Sequence, residues 1–130
     1  MLLGITQDRA IGIDVEYIRA IADMKHIATR YFSRSEQALL EDTVPIERGF
    51  YVCWTRKEAY IKAVGKGLSV PLTSFDTSMA ANTVGRQLPW TADSPDVQSW
   101  WLTDLQISEE YSGALVTEGE MPQVTYRNWK

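Results

Sequence analysis

The sequence contains one cysteine and one histidine in 130 residues. Cys53 therefore has no partner for an internal disulfide, and it cannot build a thiolate metal cage. Long hydrophobic runs are missing as well. No stretch reaches the roughly eighteen consecutive apolar residues of a membrane span. Asp8, Arg9 and Asp14 interrupt the N-terminal region where a signal peptide would need an apolar core. Nor is there an excess of positive charge, since 13 Lys and Arg stand against 17 Asp and Glu, a net charge of −4. That balance argues against a general nucleic-acid binder, which needs a basic footprint. It does not argue against a phosphate ligand, for which a few lysines and a divalent cation suffice. Internal repeats, low-complexity tracts and charge blocks are absent. The expectation is a cytoplasmic protein with no membrane and no nucleic-acid partner.

What is present is the composition of an ordinary folded domain, 45% hydrophobic and 23% charged. Residues 2–6 form a short apolar run, Gln7-Asp8-Arg9 reads as a tight connection, and residues 11–16 alternate. Ile11, Ile13 and Val15 fall on one face; Gly12, Asp14 and Glu16 fall on the other. Together these segments predict a β-hairpin. Helical spacing follows over residues 20–32. Ser33 with Glu36 three positions later predicts a capping box on a second helix that fades near Asp42 or Thr43. Pro45 suits the first turn of a third helix running to about Val64, with Gly65 and Gly67 as stop signals. Strands are predicted around residues 75–78, 98–106, 113–118 and 124–129, with turn residues at 91–96. The fold class is α+β: one domain over residues 1–130, a mainly antiparallel sheet packed against about three helices.

Two stretches carry residues suited to chemistry. Asp14 and Glu16 are two apart on a strand, so both point to one face, and two hard oxygen donors suit Mg²⁺. Gly12 removes a side chain from that face where a ligand could come close. The same pattern also describes a half-exposed strand with an acidic outer face. On the third helix Trp54, Glu58 and Lys62 are spaced by four along one stripe, with Lys57 beside it. Glu58, Lys57 and Lys62 could supply a third metal oxygen and two cations for a phosphate; an exposed Glu–Lys pair would look the same. Cys53 reads as a small buried hydrophobe. The adjacent Trp100 and Trp101 must face opposite sides of a strand, one of them inward. The other, with Trp129, could mark an association surface. Gly65-Lys66-Gly67 is not a nucleotide-hydrolysing phosphate loop, because the glycine five residues earlier and the following Ser or Thr are missing. Lys66 could still reach a phosphate.

The combination is more informative than its parts. Ile11-Gly12-Ile13-Asp14-Val15-Glu16 is followed about forty residues later by Trp54-Thr55-Arg56-Lys57-Glu58-Ala59-Tyr60-Ile61-Lys62 and Gly65-Lys66-Gly67-Leu68. This resembles the paired signature of 4′-phosphopantetheinyl transferases, a G-x-D strand and a W-x-x-K-E-x-x-x-K helix. Arg30-Tyr31-Phe32-Ser33-Arg34-Ser35-Glu36 looks like the family's connecting segment. Glu16, two residues after Asp14, resembles the surfactin-synthetase-activating type more than the small holo-acyl-carrier-protein synthases. The resemblance covers residues 2–78 and implies the metal-binding half of such an enzyme.

By that resemblance, Asp14, Glu16 and Glu58 would hold Mg²⁺ against the pyrophosphate of coenzyme A, the co-substrate. Lys57 and Lys62 would neutralise phosphate oxygens. Glu58 would be the candidate base for a serine of an acyl or peptidyl carrier protein, with adenosine 3′,5′-bisphosphate as the leaving product. Its metal role ranks first, because a bound cation lowers its basicity. The larger family members are pseudodimers with the coenzyme between two halves, and the half upstream of the G-x-D strand is not in this sequence. His26, expected to be an exposed helix residue, is out of place to stand in for that half's histidine. A homo-oligomer, dimer or trimer, would complete the site. The competing reading is a non-catalytic half that binds coenzyme A or a carrier protein without turnover.

Overall fold

The computed structural model describes residues 2–65, 71–78, 83–87 and 100–128. The elements run β1 (Ile11–Tyr17), α1 (Met24–Tyr31), α2 (Arg34–Asp42), α3 (Ile46–Val64), a 3₁₀ turn (Leu72–Ser74), β2 (Arg86–Gln87), β3 (Trp100–Asp104) and β4 (Tyr111–Glu118). Among the described residues all pairings are antiparallel, in a four-stranded sheet of order β1-β4-β3-β2, which bears out the α+β reading.

Helix boundaries follow local chemistry. Ser33 accepts from Glu36 N through its hydroxyl, and Glu36 Oε1 accepts from Ser33 N, so the capping box closes as expected and α2 ends at Asp42. α3 stops where Gly65 takes a left-handed conformation, φ 75°, and donates to Ile61 O. That conformation carries little penalty only for a residue without a Cβ. Pro45 sits at the N-cap rather than inside the first turn. α1 begins at Met24, later than the predicted residue 20. The cause is tertiary: Ile18 N donates to Glu110 O, which continues the extended pairing past the end of β1.

α3 lies at the centre. One cluster packs it on the sheet: Ala59, Tyr60, Ala63 and Phe75 with Trp100, Leu102, Ala114 and Val116. A second packs its N-terminal half on α1 and α2 through Met24, Ala28, Phe32, Leu40, Phe50 and Cys53. Trp100 is the inward member of its pair; Trp101 faces outward and its indole N–H donates to Gly119 O.

Three strand expectations fail, each because other contacts use the backbone or cover the face. Residues 2–6 form no strand and no hairpin with β1, which pairs β4 instead. They cross the outer sheet face, with Gly4 over Ile11 and Ile13, while Leu3 and Ile5 stay 66% and 80% exposed. Residues 75–78 are extended but unladdered, their polar backbone held by charged side chains of α2 and α3. Residues 124–128 form no strand and lie over the same outer face. Residues 91–96, 98–99 and Trp129 lie outside the described residues.

Candidate functional site

Gly12 brings β1 and α3 together. A Cβ at Gly12 would sit 3.0 Å from the Ala59 carbonyl carbon and nearer still to Ala59 O and Ala63 N. The missing side chain thus makes room for the helix backbone, not for a ligand as the sequence suggested. With helix and strand in contact here, the next residue on the same face, Asp14, reaches α3. Lys62 Nζ donates to Asp14 Oδ1 at 2.8 Å and to Ile13 O at 3.3 Å. The Asp14 side chain is 8% exposed and that of Lys62 49%. Asp14 Oδ2 is buried without a hydrogen-bond partner. A buried, unsatisfied carboxylate oxygen costs more than almost any other polar defect, so it points to a missing positive partner.

Glu58 stands one helical turn before Lys62, and Glu16 follows Asp14 on the same strand face. Burial pushes the Glu58 carboxyl above its ordinary value, the Asp14 charge adds to this, and Lys62 opposes it. Glu16 is raised in the same way: by burial first, then by Asp14 and Glu58, against Lys62 and Arg19. The fold therefore brings Asp14, Glu16, Glu58 and Lys62 into one electrostatic group, with the carboxylates in excess. Among the described residues no three of the acidic, His or Cys side chains are already arranged around one point as metal ligands. The donors still fit Mg²⁺: all are hard oxygens, one is an orphan, and this ion usually takes only one or two carboxylates plus waters and substrate phosphates.

Lys57 does not join this group. Its ammonium is buried, 2.9 Å from Glu36 Oε1, and it donates to Leu72 O and to Phe75 O, above the Phe75 ring. It is a brace between α2, α3 and residues 71–78. Its neighbour Arg56 is also fully buried, in a bidentate pair with Asp104 at 2.9 and 2.6 Å and a bond to Thr77 O. Sequence reasoning read Glu36 only as a cap. Its Oε2 also accepts from Thr77 N and Oγ1, contacts for which the sequence carries no local signal. Arg19, whose charge reaches Glu16, was also passed over.

Trp54 and Cys53 are packing residues. Trp54 is half-buried, stacked on Phe50 with ring centroids 6.0 Å apart. Cys53 is fully buried, and burial pushes its thiol up to about 12. His26 is exposed on α1. Lys66 and Gly67 lie outside the described residues. A cleft of about 790 Å³ opens between the start of α3 and the β3–β4 connection, lined by Arg48, Val52, Ile107 and Ser112 among others. It does not include the acidic group.

Comparison with known proteins bears on the family and the fold. The family model of the 4′-phosphopantetheinyl transferase superfamily matches residues 10–116. The 4′-phosphopantetheinyl transferase HetI of Nostoc sp. is 41% identical over 71 residues, 52% of this chain and 30% of that protein. The 4′-phosphopantetheinyl transferase ffp of Bacillus subtilis is 38% identical over 80 residues, 60% of this chain and 35% of that protein. The chain thus spans about a third of the length of these curated relatives. Its fold is similar to that of a holo-(acyl-carrier-protein) synthase from Bacillus anthracis, solved in complex with CoA (3′,5′-ADP). That TM-score is 0.63 at 22% identity, covering 84% of this chain and 94% of that one.

Proposed function

Because the chain belongs to the 4′-phosphopantetheinyl transferase superfamily, we propose that it transfers the 4′-phosphopantetheine arm of coenzyme A to a serine of an acyl or peptidyl carrier protein. The observation that carries this reading is the orphaned, buried Asp14 Oδ2 inside a group of three carboxylates and one half-exposed lysine. Such a group suits a pyrophosphate held through a divalent cation.

In this reading Asp14, Glu16 and Glu58 hold Mg²⁺, which supplies positive charge to the pyrophosphate when bound. Lys62, on a flexible stem at the rim, neutralises a phosphate oxygen. The serine hydroxyl attacks the β-phosphorus and its proton passes to the Glu58 carboxylate. The bond from phosphorus to the bridging oxygen breaks, and adenosine 3′,5′-bisphosphate leaves with the electron pair. The raised proton affinity of Glu58 favours that acceptance, although a bound cation would reduce it. Transfers of this type gain mostly from positioning and charge stabilisation. Lys57 contributes by fixing the helix that carries Glu58 and Lys62.

Residues 1–130 act as one transferase domain, and a second copy completes the coenzyme site. Leu3, Ile5, Tyr17, Tyr111 and Tyr126 are all exposed on the outer sheet face or its terminal cover, an apolar surface of the kind that marks association. Light scattering at micromolar concentration should show a dimer or trimer. The transfer test is incubation with coenzyme A, Mg²⁺ and an apo carrier protein, read as the mass gain of the carrier. Wild type should load the carrier, and Asp14→Asn and Glu58→Gln should not. Loading that persists in both variants, or in excess chelator, would sink the assignment. Tight binding of coenzyme A without loading would select the non-catalytic reading.

A further inference from the structure

Lys62 makes the one ion pair of the acidic group among the described residues. Its position is unusual for a residue meant only to meet a substrate. The ammonium sits on Asp14 Oδ1 and on the carbonyl of Ile13. Ile18 N donates to Glu110 O and Glu118 N donates to Ala10 O, so the even-numbered residues of β1 bond to β4. The Ile13 carbonyl therefore points off the free edge of the strand, where Lys62 caps it. The lysine is held at two points, on the carboxylate whose other oxygen is the orphan of the site.

A cation arriving at Asp14 meets a positive charge already there. Repulsion between a divalent ion and an ammonium about 4 Å apart corresponds to at least about a tenfold change in affinity even at the dielectric of water. The ammonium leaves most readily when an anionic acceptor competes for it, and its half-exposed side chain gives it room to swing. A pyrophosphate arriving with the metal is such an acceptor. We propose that Lys62 is a built-in counter-ion that holds down the affinity of the Asp14 site for divalent cations until a diphosphate ligand draws its ammonium away. This rests on the reading of Asp14, Glu16 and Glu58 as the metal-holding group. It adds that cation and coenzyme bind cooperatively, with Lys62 opposing the first and favouring the second.

The test uses the full chain as wild type, Lys62→Met, Lys62→Gln and Arg19→Met, titrated calorimetrically with Mg²⁺ alone and with Mg²⁺ plus coenzyme A. Thermal melts with and without Mg²⁺ give a second readout. Removing the ammonium should tighten binding of Mg²⁺ alone by about tenfold in both Lys62 variants, since their substitutions leave Asp14 with no cation. It should also enlarge the Mg²⁺-dependent rise in Tm, while binding of coenzyme A with Mg²⁺ weakens. Arg19→Met removes a nearby charge that makes no ion pair among the described residues, and should change Mg²⁺ affinity by less than about twofold. Unchanged Mg²⁺ affinity in the Lys62 variants, while wild type binds Mg²⁺ in the presence of coenzyme A, overturns the counter-ion and leaves the metal reading standing. An equal gain in Arg19→Met overturns it too, because a general field would then suffice. No Mg²⁺ binding to any form, with or without coenzyme A, overturns both.

Discussion

Glu36 Oε1 and Lys57 Nζ meet 2.9 Å apart with 0% and 1% of their side chains exposed, so a lysine of the family signature is spent inside the protein. Burial pushes its pKa down, while the charge and hydrogen bond of Glu36 push it back up. Removing one partner leaves the other charge buried without a partner of opposite sign, at about 3–5 kcal/mol. Lys57→Met should therefore lose about that much stability in urea unfolding. A Lys57→Met protein of normal stability that binds coenzyme A poorly would return this lysine to the phosphate.

Gly12→Ala tests the close approach that aligns Asp14 with Lys62. The new methyl would meet backbone atoms of Ala59 and Ala63, which cannot rotate away. Overpacking of this kind costs typically about 1–3 kcal/mol and more where backbone must move. A loss of about 3 kcal/mol is expected by chemical denaturation, with weaker Mg²⁺ binding in the folded protein. A variant as stable as wild type would mean that strand and helix are not in contact there.

Glu58→Gln should stabilise the metal-free protein at neutral pH. Burial and the Asp14 charge raise the Glu58 carboxyl in the folded state above its value of 4.5. Between those two values the folded chain binds more protons than the unfolded one, so stability falls as pH rises through that window. The penalty is absent below about pH 4.5 and complete above the raised pKa. Melts in chelator should show the variant ahead of wild type at pH 7, by no more than about 1 kcal/mol for a partly exposed group. The difference should vanish at pH 4. A variant less stable than wild type at pH 7 would contradict the repulsion.

Cys53 offers a clean probe of global opening. It is fully buried, and its thiol is pushed up to about 12 by burial first and then by the Glu36 charge. Native protein at pH 8 should resist a thiol reagent, and modification should track unfolding in denaturant. Rapid labelling of the native state would show that the α1–α2–α3 cluster opens locally.

Local chemistry was enough for much of the fold. Ser33 and Glu36 set the start of α2 because the bonds of a capping box span three residues. Gly65 sets the end of α3 because its φ of 75° needs no neighbour to enforce it. Alternation placed Gly12, Asp14 and Glu16 on one face, and the two signature motifs pointed to the family. Tertiary structure decided the rest. It paired β1 with β4, about a hundred residues away, rather than with the apolar run beside it, and it delayed α1 by continuing that pairing. It also gave Lys57 and Lys62 different surroundings. Five residues along a helix is a turn of about 140°, so the two must face different ways. Which one meets water depends on where α2 delivers the Glu36 carboxylate and β1 delivers Asp14. A lysine is buried only where a charge partner and carbonyl acceptors replace its water, and here those groups come from segments distant in the chain.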